Sequence, residues 1–405
     1  MPLIFRLTLS RDIPSGMAYF VALIMAAGMI LHLYPVHFLA GQGAFFEGGD
    51  AATNVAGWLF FGKDNWHFPL LHSTLLNAPE GTSIAFTDSI PLIALLLKPF
   101  HSLLPEGFHY FGLWHALCYL LQACAAVFLM RSLSVRNLPA ALVAAAFALT
   151  WPALLHRLGH TALMTHGLLL MALGFYFRGV NYVAWSTART GTAFILLSCI
   201  ALLIHPYLLA MSYPVFLAYL GKQFLSDSLS FKRMLAWVVC SLTLLLGLMY
   251  TGGYLVGSEA MATGFGIYSL NLTAPFCGGM LCIVTDATSG QYEGYNYLGA
   301  GTLVLLLIAL TTSGRELIGA ARKHLPLLLV LLGFTLYATS HRIYLGQDSL
   351  LDLPLPKALE AAAGVFRVSG RFFWLAGYCL LFAALTVLLR CRPAGSARTH
   401  PGNAR

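Results

Sequence analysis

Two acidic residues follow the first long apolar stretch of the chain, in the sequence FFEGGDAATNVAGW. Gly48 and Gly49 allow the backbone to turn tightly there, and the pattern predicts a helix that begins just after Asp50. A carboxylate at a helix start is oriented by the helix dipole and the free N–H groups. Asp50 is therefore a candidate general base. Glu47 is a candidate pocket residue, although solvation in the loop explains it as well.

A third acidic residue, Asp88, enters an apolar segment directly in FTDSIPLIALLL. One interpretation is structural, because Asp or Ser before Ile-Pro is ordinary N-capping chemistry. The other is that Asp88 belongs to a catalytic site together with Asp50. The two interpretations are compatible, and the sequence leaves both open.

Histidine and arginine recur beside apolar stretches in HRLGHTALMTH and LLIHPYLL. Metal binding by a zinc-hydrolase motif is not indicated, since HExxH is absent. We interpret Arg157 and His160 as contacts for an anionic headgroup, and polar helix ends at a membrane interface are the alternative. His166 and His205 are predicted to line a polar pocket, because a histidine at membrane depth is costly unless it faces a cavity.

Two further arginines, Arg367 and Arg371, lie in FRVSGRFFW before the last apolar stretch. A phosphate is a natural ligand for them, since the guanidinium fork matches its oxygens. Pairing with an acidic residue of the same side is the alternative. Lys63 is placed to contact the same group.

The elements that must position these residues are membrane helices. The chain of 405 residues is 59% hydrophobic and only 9% charged, and a helix needs about 20 mostly apolar residues to cross a bilayer. A short apolar piece at 89–104 is interpreted as re-entrant or tilted, so the sequence predicts an all-α polytopic membrane protein with ten or eleven transmembrane helices. The ten full spans are placed at 17–37, 108–130, 138–155, 161–178, 190–205, 207–222, 234–251, 296–312, 326–341 and 369–389.

The distribution of charge predicts the orientation, because Lys and Arg gather on the cytoplasmic side. The segments assigned to that side hold sixteen Lys and Arg against three acidic residues, a net charge of +13. The opposite loops carry a net charge of −5, which places both termini in the cytoplasm and indicates no nucleic-acid partner. The inward segments are 1–16, 131–137, 178–189, 222–233, 313–324 and 390–405.

Residues 1–390 then form one transmembrane domain, and 391–405 form a basic cytoplasmic tail that is predicted to be disordered. The outer loops are 38–88, 252–295 and 342–368, the first with a helical patch at 51–61. Cys277 and Cys282 fall in the second of these loops, and a disulfide between them is left open.

This organisation, with a long outer loop that bears an early acid and is followed by many short-looped spans, resembles the C-type glycosyltransferase fold. Protein O-mannosyltransferases, the lipid A aminoarabinose transferase and the oligosaccharyltransferase catalytic subunit share that fold. The chain also resembles an uncharacterised bacterial family of multispan inner-membrane proteins. The motifs that carry the second resemblance are WLFFGKDNWHFPL, PEGTSIAFTDSIPLIALLLKPF, YFGLWHALCYLLQ, HRLGHTALMTH, HPYLLAM and FRVSGRFFW.

The resemblance implies sugar transfer from a polyprenyl-phosphate carrier to a glycan, lipid or protein acceptor on the outer face of the bacterial inner membrane. Asp50 would be the base. Asp88 would position the acceptor or bind a divalent cation, Mg or Mn. The cationic residues at 157, 160, 367 and 371 would receive the departing lipid phosphate. A lipid or glycan flippase, a membrane acyltransferase that uses His160 or His166, and a non-catalytic scaffold are the rival interpretations.

Overall fold

The computed structural model describes residues 12–43, 49–255, 264–278 and 286–390, except for the side chain of Asp50. Within these ranges the chain is mostly helical. The helices are α1 (Ser15–Leu33), α2 (Val36–Leu39), α3 (Gly49–Lys63), α4 (Pro91–Leu97), α5 (Phe111–Ser132), α6 (Leu138–Leu149), α7 (Pro152–Leu155), α8 (Gly167–Asn181), α9 (Thr187–Ile204), α10 (Pro206–Leu225), α11 (Phe231–Gly252), α12 (Ala300–Lys323), α13 (Leu325–Thr339), α14 (Lys357–Gly364) and α15 (Phe373–Leu389).

Short elements lie between these helices. The 3₁₀ turns span Ile84–Phe86, Lys98–Leu103, Thr161–Met164, Gln291–Glu293 and Ser369–Phe372. Two antiparallel hairpins pair β1 (His72–Ser73) with β2 (Thr82–Ser83) and β3 (Arg342–Leu345) with β4 (Asp348–Asp352).

Eight helical segments of the described chain are long and apolar enough to cross a membrane, which confirms a helical multi-pass architecture. Two shorter apolar segments accompany them, Pro91–Leu103 and Leu325–Thr339, and α10 adds 20 residues with Pro214 inside. The eight are Ser15–Leu33, Phe111–Ser132, Leu138–Leu155, Thr161–Asn181, Thr187–Ile204, Phe231–Gly252, Ala300–Lys323 and Ser369–Leu389.

Loop ends that the charge pattern assigns to one side contact one another. At one end, Arg131 donates to the carbonyl of Ile13 at 3.2 Å, and Asn137 donates to the carbonyl of Leu389 at 3.0 Å. We call this end, which gathers 12–15, 131–137, 178–182 and 389–390, the inner end. These contacts bring together at one end several segments that the charge pattern assigns to the same side.

The opposite end, here called the outer end, joins the long loops. The Trp58 indole donates to the carbonyl of Phe108 at 2.8 Å, and the Val368 N–H donates to the Tyr207 hydroxyl at 2.9 Å. These contacts tie the first outer loop to the start of α5, and the start of α10 to the segment before α15.

The packing follows side-chain size. On α1, Ala18, Ala22 and Ala26 are buried at intervals of four residues, so they form one small-residue face that approaches α5 closely. The interior of the bundle is formed by α5, α8 and α15, whereas α11 and α12 bury only a few residues each. The peripheral helices α11 and α12 therefore expose most of their side chains at the surface of the bundle.

One boundary differs in part from the sequence expectation. Helix α12 begins at Ala300, leaves helical geometry at Ser313 (φ −137°, ψ 21°) and then continues as a second helical stretch to Lys323, where the sequence predicts an inner loop from residue 313. Arg, Glu, Lys and Ala are good helix formers, so the charged residues beyond this kink remain helical. The segment 89–104 forms a seven-residue helix and a six-residue 3₁₀ turn, which is shorter than the roughly 20 residues that cross a bilayer.

Candidate functional site

Arg371 is a nearly buried cation at the outer end. It lies in the 3₁₀ turn before α15 and is 6% exposed. Its Nη2 donates to Glu293 Oε2 at 2.6 Å, and its guanidinium carbon lies 5.0 Å from the centre of the Tyr207 ring. The predicted alternative for Arg371, an acidic partner on the same side, is thus present.

The ion pair uses only part of the guanidinium. The Nε of Arg371 is buried and has no hydrogen-bond partner among the described residues. A buried N–H group without a partner costs about 1–3 kcal/mol, and native proteins contain few of them. The edge formed by Nε and Nη2 matches the two-point contact that guanidinium makes with phosphate.

His205 stands between this arginine and Asp88. Its Nδ1 accepts the N–H of Tyr207 at 3.1 Å at the start of α10. Burial lowers the pKa of His205 to about 4, although Asp88 acts in the opposite direction, and the charges of Arg371 and His160 lower it further. The neutral ring therefore carries its proton on Nε2, which lies 3.4 Å from Asp88 Oδ1.

Asp88 occupies a strained turn. Its φ is +52° and that of Ile90 is +51°, a region that non-glycine residues seldom adopt and that is an outlier for a β-branched residue. Ser89 holds the turn, since its hydroxyl donates to the Asn54 carbonyl at 2.8 Å and its carbonyl accepts the Tyr110 hydroxyl. Strain of this kind costs on the order of 1–3 kcal/mol per residue and clusters at functional sites.

The capping interpretation of Asp88 is wrong. The N-cap of α4 is Ile90, and no side chain caps this helix. The left-handed Ile90 rotates the backbone before Pro91, so the carboxylate of Asp88 turns toward His205. About two fifths of that side chain is exposed, which leaves it accessible from the outer end.

The other three residues predicted to bind the phosphate, Arg367, Arg157 and His160, differ in their surroundings. The guanidinium carbon of Arg367 lies 5.3 Å from the centre of the Tyr268 ring, and the side chain is exposed. Arg157 is buried, 5.9 Å from the Trp374 ring centre. His160 is half-buried in the turn before Thr161–Met164. Residues 156–160 form turns and no helix, so the two histidines there do not share a helical face.

His166 belongs to the bundle interior. It is fully buried, its Nδ1 lies 3.0 Å from the Tyr378 hydroxyl, and its ring packs on Trp374. Gln122 Nε2 donates to the same hydroxyl at 2.8 Å. The Tyr378 hydroxyl therefore donates to His166, which places that histidine in a hydrogen-bond network of the core.

The first outer loop contributes Asp50 by its backbone position. Asp50 is the second residue of α3, and its side chain and the whole of Glu47 lie outside the described residues. Asn54, which contacts Ser89, follows four residues later, about 6 Å along the helix. The first turn of α3 is therefore anchored beside the Asp88 turn. Lys63, at the other end of α3, is exposed.

Sequence reasoning missed Asp64, which organises this loop. Its carboxylate accepts the Ser73 hydroxyl at 2.8 Å and the Thr74 N–H at 2.7 Å, and it lies 3.2 Å from His67 Nε2. Burial works against the ionised form, but the hydrogen bonds prevail and hold the pKa of Asp64 well below its usual range. The clustering of Ser, Thr and His within ten residues was the available signal.

An apolar groove of about 500 Å³ lies near the Arg371 cluster, the name used here for Arg371, Glu293, His205 and Asp88. It opens between α10, α13 and α14. Two of its lining residues, Phe366 and Phe372, pack on Tyr207 with ring centres 5.0 and 6.0 Å away. The other lining residues are Ala210, Pro214, Val330, Gly333, Phe334, Tyr337, Ala362 and Ala363.

Metal ligands are not clustered in the described part of the chain, where no three His, Cys, Asp or Glu side chains come together. The structure therefore assigns no ligand set to the divalent cation that the resemblance implies. In the second outer loop, Cys277 is disulfide-bonded, and Cys282 lies outside the described residues.

Comparison with known proteins identifies the family. Residues 23–400 match a family described as a domain of unknown function, DUF6311, and the chain belongs to it. No characterised protein matches the chain significantly. No solved structure does so either.

Proposed function

We propose that this member of the DUF6311 family is a membrane transferase that moves a sugar from an isoprenoid-phosphate carrier to a hydroxyl of a cell-envelope acceptor. The observation that carries the proposal is that the Tyr207 ring contacts both Arg371 and two residues that line the apolar groove, Phe366 and Phe372. The reaction takes place at the outer end of the bundle, which we assign to the outer face of the bacterial inner membrane, with both termini in the cytoplasm.

The groove and the cluster suit the two halves of one amphiphile. Phe366 and Phe372 line the groove, and both rings also contact Tyr207, over which Arg371 lies. A ligand whose apolar chain fills the groove therefore has its head next to a buried guanidinium. A lipid phosphate is such a ligand, because its oxygens accept two parallel hydrogen bonds from one arginine.

Glycosyl transfer needs a base and a cation, and the cluster contains both. The acceptor hydroxyl attacks the anomeric carbon of the sugar, and a carboxylate takes its proton. The bond from that carbon to the phosphate oxygen breaks, and the lipid phosphate departs with the electron pair. Arg371 and the exposed Arg367 stabilise the departing charge. Asp88 and Asp50 are the two carboxylates that fit the base.

Asp88 is the carboxylate whose surroundings support such a role directly. The strained turn and the contact with neutral His205 position its carboxylate, and its exposure makes it accessible to an acceptor. Among the described residues it has no arginine partner. Asp50, on the helix that anchors the same turn, is the second carboxylate of the proposed pair. Together they would bind the acceptor and remove its proton.

The test is deletion of the gene in its host and mass spectrometry of the surface glycans, followed by complementation. We expect the deletion to remove one sugar-sized increment, which wild type restores and Asp88→Asn or Asp50→Asn does not. Glu106→Gln, at an exposed acid in the turn before α5, is the matched control and should restore it. Complementation by both aspartate variants would refute the transferase.

The flippase alternative is separated by a second measurement. Proteoliposomes that contain the purified protein are loaded with a fluorescent isoprenoid phosphate, and its movement between leaflets is followed. Translocation that Asp88→Asn leaves intact, together with an unchanged glycan profile in the deletion strain, would favour transport. Absence of translocation agrees with transfer.

A further inference from the structure

Three arginines from different elements converge at the inner end. Arg131 ends α5, Arg136 follows in the next turn, and Arg178 lies near the end of α8. Arg136 Nη2 donates to the Tyr182 hydroxyl at 3.0 Å, and the guanidinium carbon of Arg178 lies 4.5 Å from the centre of that ring. The Tyr182 hydroxyl in turn donates to the carbonyl of Arg131 at 2.6 Å.

The side-chain partners of these arginines are neutral. Arg131 Nη2 donates to the Ser15 hydroxyl at 2.8 Å, and Arg178 Nε donates to the Ser132 hydroxyl at 3.2 Å. In the described part of the chain no carboxylate lies within ion-pair distance of these two arginines. Serine hydroxyls hold the guanidinium groups in place and leave their charge uncompensated.

The local potential at this end is positive. Burial raises the pKa of Tyr182, but the hydrogen bonds from Arg136 and Ser134 and the charges of Arg136 and Arg178 outweigh burial and lower it. The acidic residue that acts on Arg136 is Asp12. Among the described residues, three guanidinium groups thus face one carboxylate, and the excess favours an anionic ligand.

A partly exposed apolar stripe runs from this cluster into the membrane. On α5, Leu117, Cys124 and Phe128 recur at helical spacing and lead to Arg131. Leu117 is 49% exposed, although α5 packs against both α1 and α8. Tyr19 of α1 lies within electrostatic reach of Cys124 and Arg131, so the stripe runs beside α1. We call the surface between Tyr19 and this stripe the crevice.

We infer that this crevice binds one anionic phospholipid, with its phosphate on Arg131, Arg136 and Arg178 and an acyl chain along the α5 stripe. Basic pockets between transmembrane helices at the cytoplasmic side are suited to anionic headgroups. The crevice adds an apolar wall directly above the cationic cluster, which a free phosphate ion would not use. The inference is independent of the proposed transferase, because it concerns the opposite end of the bundle.

Native mass spectrometry of the protein released from nanodiscs tests the inference. The nanodiscs contain phosphatidylglycerol and phosphatidylcholine in equal amounts, and we expect the wild type to retain one phosphatidylglycerol preferentially. The double variant Arg136→Gln/Arg178→Gln should retain the lipid about 30-fold less. Each lost charge removes about 1 kcal/mol of attraction to the headgroup, and about 1.4 kcal/mol corresponds to a tenfold change in affinity. Arg233→Gln, an exposed arginine at the start of α11, is the matched control and should retain lipid like wild type.

Circular dichroism and thermal melting in detergent check that the double variant is folded, and Arg136→Lys/Arg178→Lys, which keeps the charge, should restore most of the retention. A phosphatidylglycerol with a diazirine in its acyl chain should label peptides that contain residues 117–128 in the wild type. Equal retention of both lipids, or undiminished retention by a folded glutamine variant, would overturn the site. Inorganic phosphate binding without any retained lipid would overturn the assignment to a lipid.

Discussion

Replacement of Glu293 by glutamine separates two roles of its ion pair with Arg371. If the carboxylate competes with a ligand phosphate for the guanidinium, then Glu293→Gln should bind an isoprenoid phosphate more tightly. If Glu293 only holds Arg371 in position, the same substitution should weaken binding. The two roles therefore predict opposite signs, which makes this variant more informative than the loss of Arg371 itself.

The size of the effect follows from the geometry. The contact is one 2.6 Å charge-assisted hydrogen bond between side chains that are 7% and 18% exposed, so solvent screens it little. Such a bond contributes about 1.5–3 kcal/mol, and its neutral counterpart about 0.5–1.5 kcal/mol. The difference of about 1–1.5 kcal/mol corresponds to an affinity gain of roughly tenfold.

The assay is isothermal titration calorimetry of the detergent-purified protein with farnesyl phosphate, a short isoprenoid monophosphate. Asp352→Asn is the matched control, because it removes one carboxylate from the exposed Arg342–Asp352 pair at 3.3 Å on the same end. We expect the control to bind within twofold of wild type and Arg371→Ala to bind too weakly to measure. Weaker binding by Glu293→Gln than by wild type would refute the competition between carboxylate and phosphate.

Two further predictions concern the groove and the topology. Gly333→Leu should weaken farnesyl phosphate binding about tenfold, because the leucine displaces about two methylene groups of the chain at about 0.8 kcal/mol each. Gly247→Leu on α11, where an added Cβ also meets open space, is the control and should leave the affinity unchanged. Equal calorimetric affinities of the two variants would contradict a chain in the groove. Alkaline phosphatase fused after residue 60 should be active and after residue 228 inactive, and the reverse activities would overturn the assigned orientation.

The helical character of the chain was predictable from the sequence, and so was the placement of Asp88, His205 and Arg371 at one end of the bundle. Long uncharged stretches specify membrane helices, and charge at their ends specifies the face. Asp88, His205 and Arg371 all end or begin apolar segments that the charge pattern assigns to the outer side, so their meeting at one end follows from the topology. The helical patch after the first span was also predicted, and it is α3.

The local geometry of the site was not predictable. Several outer acids were equally eligible partners for Arg371, and only the packing of the Gln291–Glu293 turn against the 3₁₀ turn before α15 selects Glu293. Likewise, the sequence around Asp88 has the composition of an N-cap. Left-handed backbone at two non-glycine residues has no sequence signature, because it is imposed by the tertiary contacts of Ser89.

The burial and the incomplete hydrogen bonding of the Arg371 guanidinium connect these observations. Ordinary ion pairing does not require a nearly buried arginine, since the desolvation of both charges offsets most of the attraction. The structure nevertheless buries Arg371, satisfies one edge nitrogen with Glu293 and leaves the adjacent Nε without a partner among the described residues. A site with a buried guanidinium, only some of whose N–H donors are paired, beside an apolar groove stabilises a ligand that has both an apolar chain and an anionic group. The isoprenoid phosphate is proposed because it supplies both, whereas a soluble phosphate would leave the groove unused.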